Sequence, residues 1–161
     1  MNDDIEPEYV LYTDGSIDSN PRGIGGYAAV LLKNRNLTGY VYGSEFNATN
    51  NTMELMAAIR GLEILVIPGH TIRVYSDSEY LTRGITEYVP NWIKNGQFSE
   101  HKANFYLWNK LLTLRKNSKI EFRWVRGHSG DLYNEFADEL AGKAMRLTRE
   151  TGKCFTRPVF G

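Results

Sequence analysis

Four carboxylates stand where an ionisable side chain needs a reason. Asp14 ends the apolar run Tyr9-Val10-Leu11-Tyr12-Thr13, and Asp77 ends a second run, Thr71-Ile72-Arg73-Val74-Tyr75-Ser76. Glu54 falls in the first turn of a long helical pattern, followed by the small residues Ala57, Ala58 and Gly61. Asp138 lies early in a later helical pattern, beside Ala137 and Ala141. Taken singly, each has an ordinary explanation: aspartates cap turns, and a glutamate near a helix start favours the dipole. Taken together they ask for more, because adjacent strands would set Asp14 and Asp77 side by side. Carboxylates gathered without bases repel one another unless a cation sits among them. Oxygen donors without Cys or His select Mg²⁺ or Mn²⁺ over zinc. Two such ions about 4 Å apart form a clamp for in-line displacement at phosphorus. The expected chemistry is therefore phosphodiester hydrolysis.

The elements that must position these groups follow from hydrophobic period. Tyr9–Thr13, Gly25–Leu32 and Leu37–Phe46 are β-rich runs joined by short polar turns, an antiparallel meander. From Asn51 the period changes: Leu55, Ala58, Ile59, Leu62, Leu65 and Val66 recur at three and four residues, as in an amphipathic helix. Pro68-Gly69 ends it before the strand at Thr71–Ser76, so the helix is a crossover and the strand it joins is parallel to the first. Shorter helical stretches at Glu79–Ile85, Asn91–Asn95 and Asn104–Lys116 precede a fifth strand, Lys119–Arg126, and a last helix, Asn134–Arg149. The expected fold is α/β, a five-stranded mixed sheet of three antiparallel and two parallel strands flanked by helices. Residues 1–150 form one catalytic domain, and 151–161, with Gly, Pro and no period, an irregular tail.

Composition narrows the class further. At 161 residues with 42% hydrophobic content the chain can bury one core. One cysteine, Cys154, excludes a disulfide framework or Cys-rich zinc module and fits a reducing, cytoplasmic setting. No apolar run approaches a membrane span, and the acidic N-terminal residues lack the apolar stretch of a signal peptide. Gly23-Ile24-Gly25-Gly26-Tyr27-Ala28 mimics a dinucleotide loop, but a strand follows it where a helix is required, so these glycines read as turn and edge-strand punctuation. Net charge is zero, which at first argues against a polyanionic partner. The distribution says otherwise: residues 1–20 carry six acids and no base, and residues 91–126 carry eight bases and two acids.

Several blocks together resemble the type 1 ribonuclease H family, in order and approximate spacing over residues 8–148. They are Tyr12-Thr13-Asp14-Gly15-Ser16, Asn20-Pro21, Gly25-Gly26-Tyr27-Ala28, Thr49-Asn50-Asn51-Thr52-Met53-Glu54-Leu55 and Tyr75-Ser76-Asp77-Ser78. Trp124-Val125-Arg126-Gly127-His128-Ser129-Gly130, Asn134-Glu135 and Asp138-Glu139-Leu140-Ala141 complete the set. The resemblance implies that Asp14, Glu54, Asp77 and Asp138 are catalytic metal ligands for two Mg²⁺ ions, with Mn²⁺ as substitute. It implies that His128 assists proton transfer or product release. The implied reaction is endonucleolytic cleavage of the RNA strand of an RNA/DNA hybrid, leaving 5′-phosphate and 3′-hydroxyl ends, by a monomer with no obligate protein partner.

Recognition of RNA rests on its 2′-hydroxyl, which neutral donors and acceptors can read. Ser16, Asn20, Asn50, Asn51 and the Gly15 backbone supply them, and Thr49 matches a family position that helps hold a phosphate. Bacterial relatives often carry a basic, Trp-rich protrusion; here the corresponding Asn91–Lys102 segment is short and weakly charged, and retains Trp92 and Lys94 as expected DNA-strand contacts.

Overall fold

A computed structural model describes residues 5–65, 69–116, 118–127 and 130–161. Strands β1 (Tyr9–Ile17), β2 (Gly23–Lys33) and β3 (Asn36–Ala48) form the meander. Helix α1 (Asn50–Ile64) crosses to β4 (Thr71–Ser76), which pairs parallel to β1. Helix α2 (Glu79–Arg83), a single π-turn (Gly84–Tyr88) and α3 (Val89–Lys94) run on without a break. Then come α4 (Phe105–Arg115), β5 (Lys119–Trp124) parallel to β4, α5 (Leu132–Thr151) and β6 (Thr156–Phe160). The sheet order is β5-β4-β1-β2-β3-β6.

The mixed sheet is the expected one with an addition: it has six strands, not five. The C-terminal residues, read from sequence as irregular, supply β6, which pairs antiparallel with β3 from Gly39↔Phe160 to Gly43↔Thr156. Pro158 inside Thr156-Arg157-Pro158-Val159-Phe160 argues against a strand unless that strand lies at an edge, which is where β6 sits. Tertiary partners hold it there. Ser44 N–H donates to the Phe155 carbonyl at 2.9 Å, and the Tyr27 hydroxyl meets Thr156 Oγ1 at 2.6 Å.

Alternation along β1 divides the core between two layers. Leu11 faces α1 and α4 with Met53, Ile59, Leu62, Val74 and Trp108, whereas Val10 and Tyr12 face α5 with Val30, Leu140 and Ala144. The glycines of β2 mark no edge, because β2 lies between β1 and β3: Gly23 closes the β1–β2 turn, and Gly25 and Gly26 lie within the strand. They let both helices approach. A Cβ on Gly26 would come within 1.9 Å of the Ala141 carbonyl of α5, and one on Gly25 within 2.6 Å of the Met53 side chain of α1. The π-turn ends with Val89 N–H bonded five residues back to the Gly84 carbonyl. Pro90 follows at once, so the residue that can donate nothing to a helix sits where the helix restarts.

Candidate metal centre

The parallel β1–β4 ladder ends at Thr13↔Ser76, so the next residue of each strand is a carboxylate, Asp14 or Asp77. Asp14 does not end β1, as the sequence implied; β1 continues to Ile17, paired there to β2 alone. Glu54 arrives from α1. The helix begins at Asn50 behind a Thr49 cap whose hydroxyl accepts from Thr52 N–H, while Thr52 Oγ1 accepts from Thr49 N–H. That start puts Glu54 fifth in the helix, in its second turn rather than its first. Gly15 allows α1 to lie against the strand: a Cβ there would sit 2.8 Å from Met53 and 2.9 Å from the Glu54 nitrogen. One carboxylate oxygen each from Asp14, Glu54 and Asp77 thus lies within 4.8 Å of the other two. Asp138 stands outside this triad. It reaches Asp14 from α5, close enough to hydrogen-bond its carboxyl and to repel its charge.

The electrostatics match an assembly short of positive charge. Burial first, then Asp77 and Asp138, push Asp14 from the ordinary 3.8 up to about 8, against the opposing pull of its 2.8 Å bond from Gly15 N–H. Glu54 is likewise driven well above the carboxylate range by burial, then by Asp14 and Asp77. Glu54 Oε1 is cut off from solvent and has no hydrogen-bond partner among the described residues. A buried acceptor without a donor carries the full cost of its lost hydration. A hard divalent cation answers all three features: oxygen-only donors, mutual repulsion and an orphaned oxygen. The donor set therefore fits Mg²⁺ or Mn²⁺.

The other expected site residues divide into groups. Gly15 and Ser16 adjoin Asp14 on β1, and Ser16 Oγ points to Met145 Sδ at 3.7 Å. Asn20, in the β1–β2 turn, meets Asn50 at the start of α1, where Asn50 Nδ2 donates to Asn20 Oδ1 at 3.3 Å. Thr49 and Asn51 flank Asn50, so this polar ledge leads directly into the turn that carries Glu54. Trp92 and Lys94 stand apart on α3, and Lys102 Nζ lies 4.7 Å over the Trp92 ring. His128 lies outside the described residues. The basic segment does not act as one surface: Lys110 Nζ pairs with Glu63 of α1 at 3.6 Å, and Lys119 sits at the start of β5, level with Thr71 and away from the carboxylates.

Sequence reasoning placed Trp124 and Gly127 in a family-like block but gave them no role: the Trp124 indole Nε1–H donates to the Asp77 carbonyl at 3.0 Å, and Gly127 lies against the Asp77 carboxylate. Parallel pairing of β4 with β5 was the available signal, since it sets the end of β5 beside the residue after Ser76.

Among known proteins, the RNase H family model matches residues 6–146. A ribonuclease H of Wolbachia pipientis wMel is 43% identical over 141 residues, spanning 86% of this chain and 95% of that protein. One from Hahella chejuensis is 44% identical over 146 residues, 88% of this chain and 97% of that protein. Among solved structures, LC9-RNase H1, a type 1 RNase H with the type 2 active-site motif, superposes with a TM-score of 0.78 at 28% identity. That match covers 95% of this chain and 79% of that one. LC11-RNase H1 in complex with RNA/DNA hybrid shares the fold, with a TM-score of 0.70 at 21% identity over 88% of this chain and 99% of that one.

Proposed function

The chain belongs to the RNase H family of metal-dependent hydrolases, which cleave RNA in RNA/DNA hybrids, and on that premise we propose how its own residues do so. The reaction is endonucleolytic cleavage of the RNA strand, leaving 5′-phosphate and 3′-hydroxyl ends. The observation that carries this reading is the carboxylate triad of Asp14, Glu54 and Asp77, with Glu54 Oε1 buried and unpartnered among the described residues.

Asp14, Glu54, Asp77 and Asp138 hold two Mg²⁺ ions, for which Mn²⁺ substitutes. Bound divalent ions supply positive charge at the scissile phosphate and a more acidic water. Asp138 borders the triad from α5 and would serve as its fourth metal-binding carboxylate. The protein's other groups bind and orient. Asn20, Asn50 and Asn51, with Ser16 and the Gly15 backbone, present neutral donors and acceptors to the 2′-hydroxyls. Thr49 helps hold a phosphate at the start of α1, where the helix dipole favours negative charge. Trp92 and Lys94 take the DNA strand on α3, and His128 moves a proton or aids product release. Contacts of this kind read hybrid shape without base sequence.

The substrate is the RNA/DNA hybrid, and we place the enzyme in the cytoplasm as a monomer with no obligate protein partner. An exposed, unpaired Cys154 supports a reducing compartment. No helix among the described residues is long and apolar enough to cross a membrane.

The test uses a hybrid labelled on each strand in turn, incubated with Mg²⁺, with Mn²⁺ or with EDTA. The expected result is cutting of RNA alone in either metal, none in EDTA, and 3′ ends that a polymerase extends. An intact RNA strand, or a cut DNA strand, refutes the reading.

A further inference from the structure

Asp77 differs from the other two members of the triad in how it is held. Asp14 lies within β1, paired there with Ala28 of β2, and Glu54 rides on a fifteen-residue helix. Asp77 follows the last residue of β4 and precedes the Ser78 cap of a five-residue helix, so its own backbone lies in a connection. Such a position gives little intrinsic rigidity.

Ser78 N–H donates to Ser76 Oγ at 3.0 Å across Asp77, and further support comes from the end of β5. Val125 N–H donates to the Ser76 carbonyl at 2.9 Å and carries the β4–β5 ladder one residue past β5 itself. Trp124 Nε1–H donates to the Asp77 carbonyl at 3.0 Å. Trp124 is 52% exposed, so its ring is not there to fill the core. Gly127 closes the arrangement from the carboxylate side. A Cβ on Gly127 would stand 2.7 Å from Asp77 Oδ2, while Asp77 Cβ and Cγ would remain at an ordinary 3.5 Å. A side chain at 127 would thus strike one atom only, an oxygen of the Asp77 carboxylate.

We propose that Trp124 and Gly127 are positioning residues for metal binding: Trp124 holds the Asp77 carbonyl, and Gly127 leaves the space in which the Asp77 carboxylate meets those of Asp14 and Glu54. This rests on Asp77 being a metal ligand, as proposed above. Trp124 acts through the backbone and Gly127 through the absence of a side chain. A methyl group at 127 moves the carboxylate, the far end of a side chain, and leaves the surrounding backbone in place. Outer-shell groups that orient ligands set metal affinity in this way.

Isothermal titration of Mg²⁺ and of Mn²⁺ into the metal-free full chain tests the proposal, alongside melting in EDTA. Gly127→Ala should bind metal about tenfold more weakly, within the range of outer-shell substitutions, at an unchanged metal-free melting temperature. Trp124→Phe keeps a ring and loses one hydrogen bond, so its affinity should fall about fivefold. Cleavage by both variants should recover at higher Mg²⁺, which a structural defect would not permit. Asp77→Asn is the control for the underlying reading and should bind at least as poorly as Gly127→Ala. Parent-like metal affinity in Gly127→Ala, with Asp77→Asn impaired, overturns the positioning role alone. Parent-like affinity in Asp77→Asn overturns the ligand assignment, and the proposal with it. If Gly127→Ala does not fold, Trp124→Phe decides: undiminished affinity there refutes the proposal.

Discussion

Removing the charge of Asp14 should stabilise the metal-free protein at alkaline pH while abolishing cleavage. Asp14 is 4% exposed, and its pKa is raised from 3.8 to about 8 by burial and by Asp77 and Asp138. A raised carboxylate favours the folded state only while protonated. Its contribution is complete below about pH 4, fades as pH climbs, and is gone once pH passes about 8. At roughly 1.4 kcal/mol per pH unit, an interval of about four units has a ceiling near 6 kcal/mol. Water entry and side-chain movement on ionisation reduce that to about 2–3 kcal/mol. For a domain of this size that is a fall of about 5–10 °C in melting temperature between pH 4 and pH 8.5. Asp14→Asn is isosteric and keeps an oxygen to accept from Gly15 N–H, so it deletes the charge and little else. Calorimetry in EDTA should show the variant melting several degrees above the parent at pH 8.5 and level with it near pH 4. Saturating Mg²⁺ should raise the parent by more than the variant. A variant that melts at or below the parent in EDTA at pH 8.5 refutes the view that uncompensated repulsion governs this site.

Three further outcomes follow from other parts of the fold. Gly26→Ala would put a methyl 1.9 Å from the Ala141 carbonyl, so urea unfolding should show a loss of about 3 kcal/mol, and cleavage should fall as α5 carries Asp138 away from Asp14. Ser44 Oγ bonds Thr148 Oγ1 and accepts from Phe155 N–H; Ser44→Ala should cost about 1–2 kcal/mol in the same assay, and a neutral result would deny β6 its role as a fastened strand. Lys94→Ala, measured by fluorescence anisotropy on an inactive Asp14→Asn background, should weaken hybrid binding for every sequence alike and lower the slope of log K against log salt by about one. An unchanged slope would remove Lys94 from the phosphate contacts.

The meander, the crossover helix and the parallel return were legible because each rests on local period: alternation in β1–β3, and a three-to-four spacing in α1. The boundaries were less so. The Glu54 turn was misplaced by one because Thr49, not a later residue, caps α1 through a reciprocal bond with Thr52, a pairing that Thr at the third position conceals. The β2 glycines looked like punctuation because their partners, Met53 on one face and Ala141 on the other, are distant in sequence. Strand β6 was hidden by Pro158, since an edge position can be recognised only once the rest of the sheet exists. Net charge misled as well: zero is a sum, and the bases of residues 91–126 are spread over α3, α4, β5 and the connections between and beyond them.

Residue types, read with the blocks they stand in, pointed to the chemistry. Four carboxylates with no base among them, in blocks resembling one family, suit a hard cation, because side-chain chemistry belongs to the residue wherever it is placed. Which oxygens meet, and what holds them, was settled by long-range packing. The β1–β4 register set Asp14 beside Asp77, and Gly15 drew α1 close enough for Glu54. Asp138 was left at the border of the triad, and Trp124 and Gly127 were brought against Asp77 from fifty residues away along the chain or nearly so. Distances of a few ångströms between segments far apart in sequence depend on how closely helices and strands can approach, and that is a property of the packed whole.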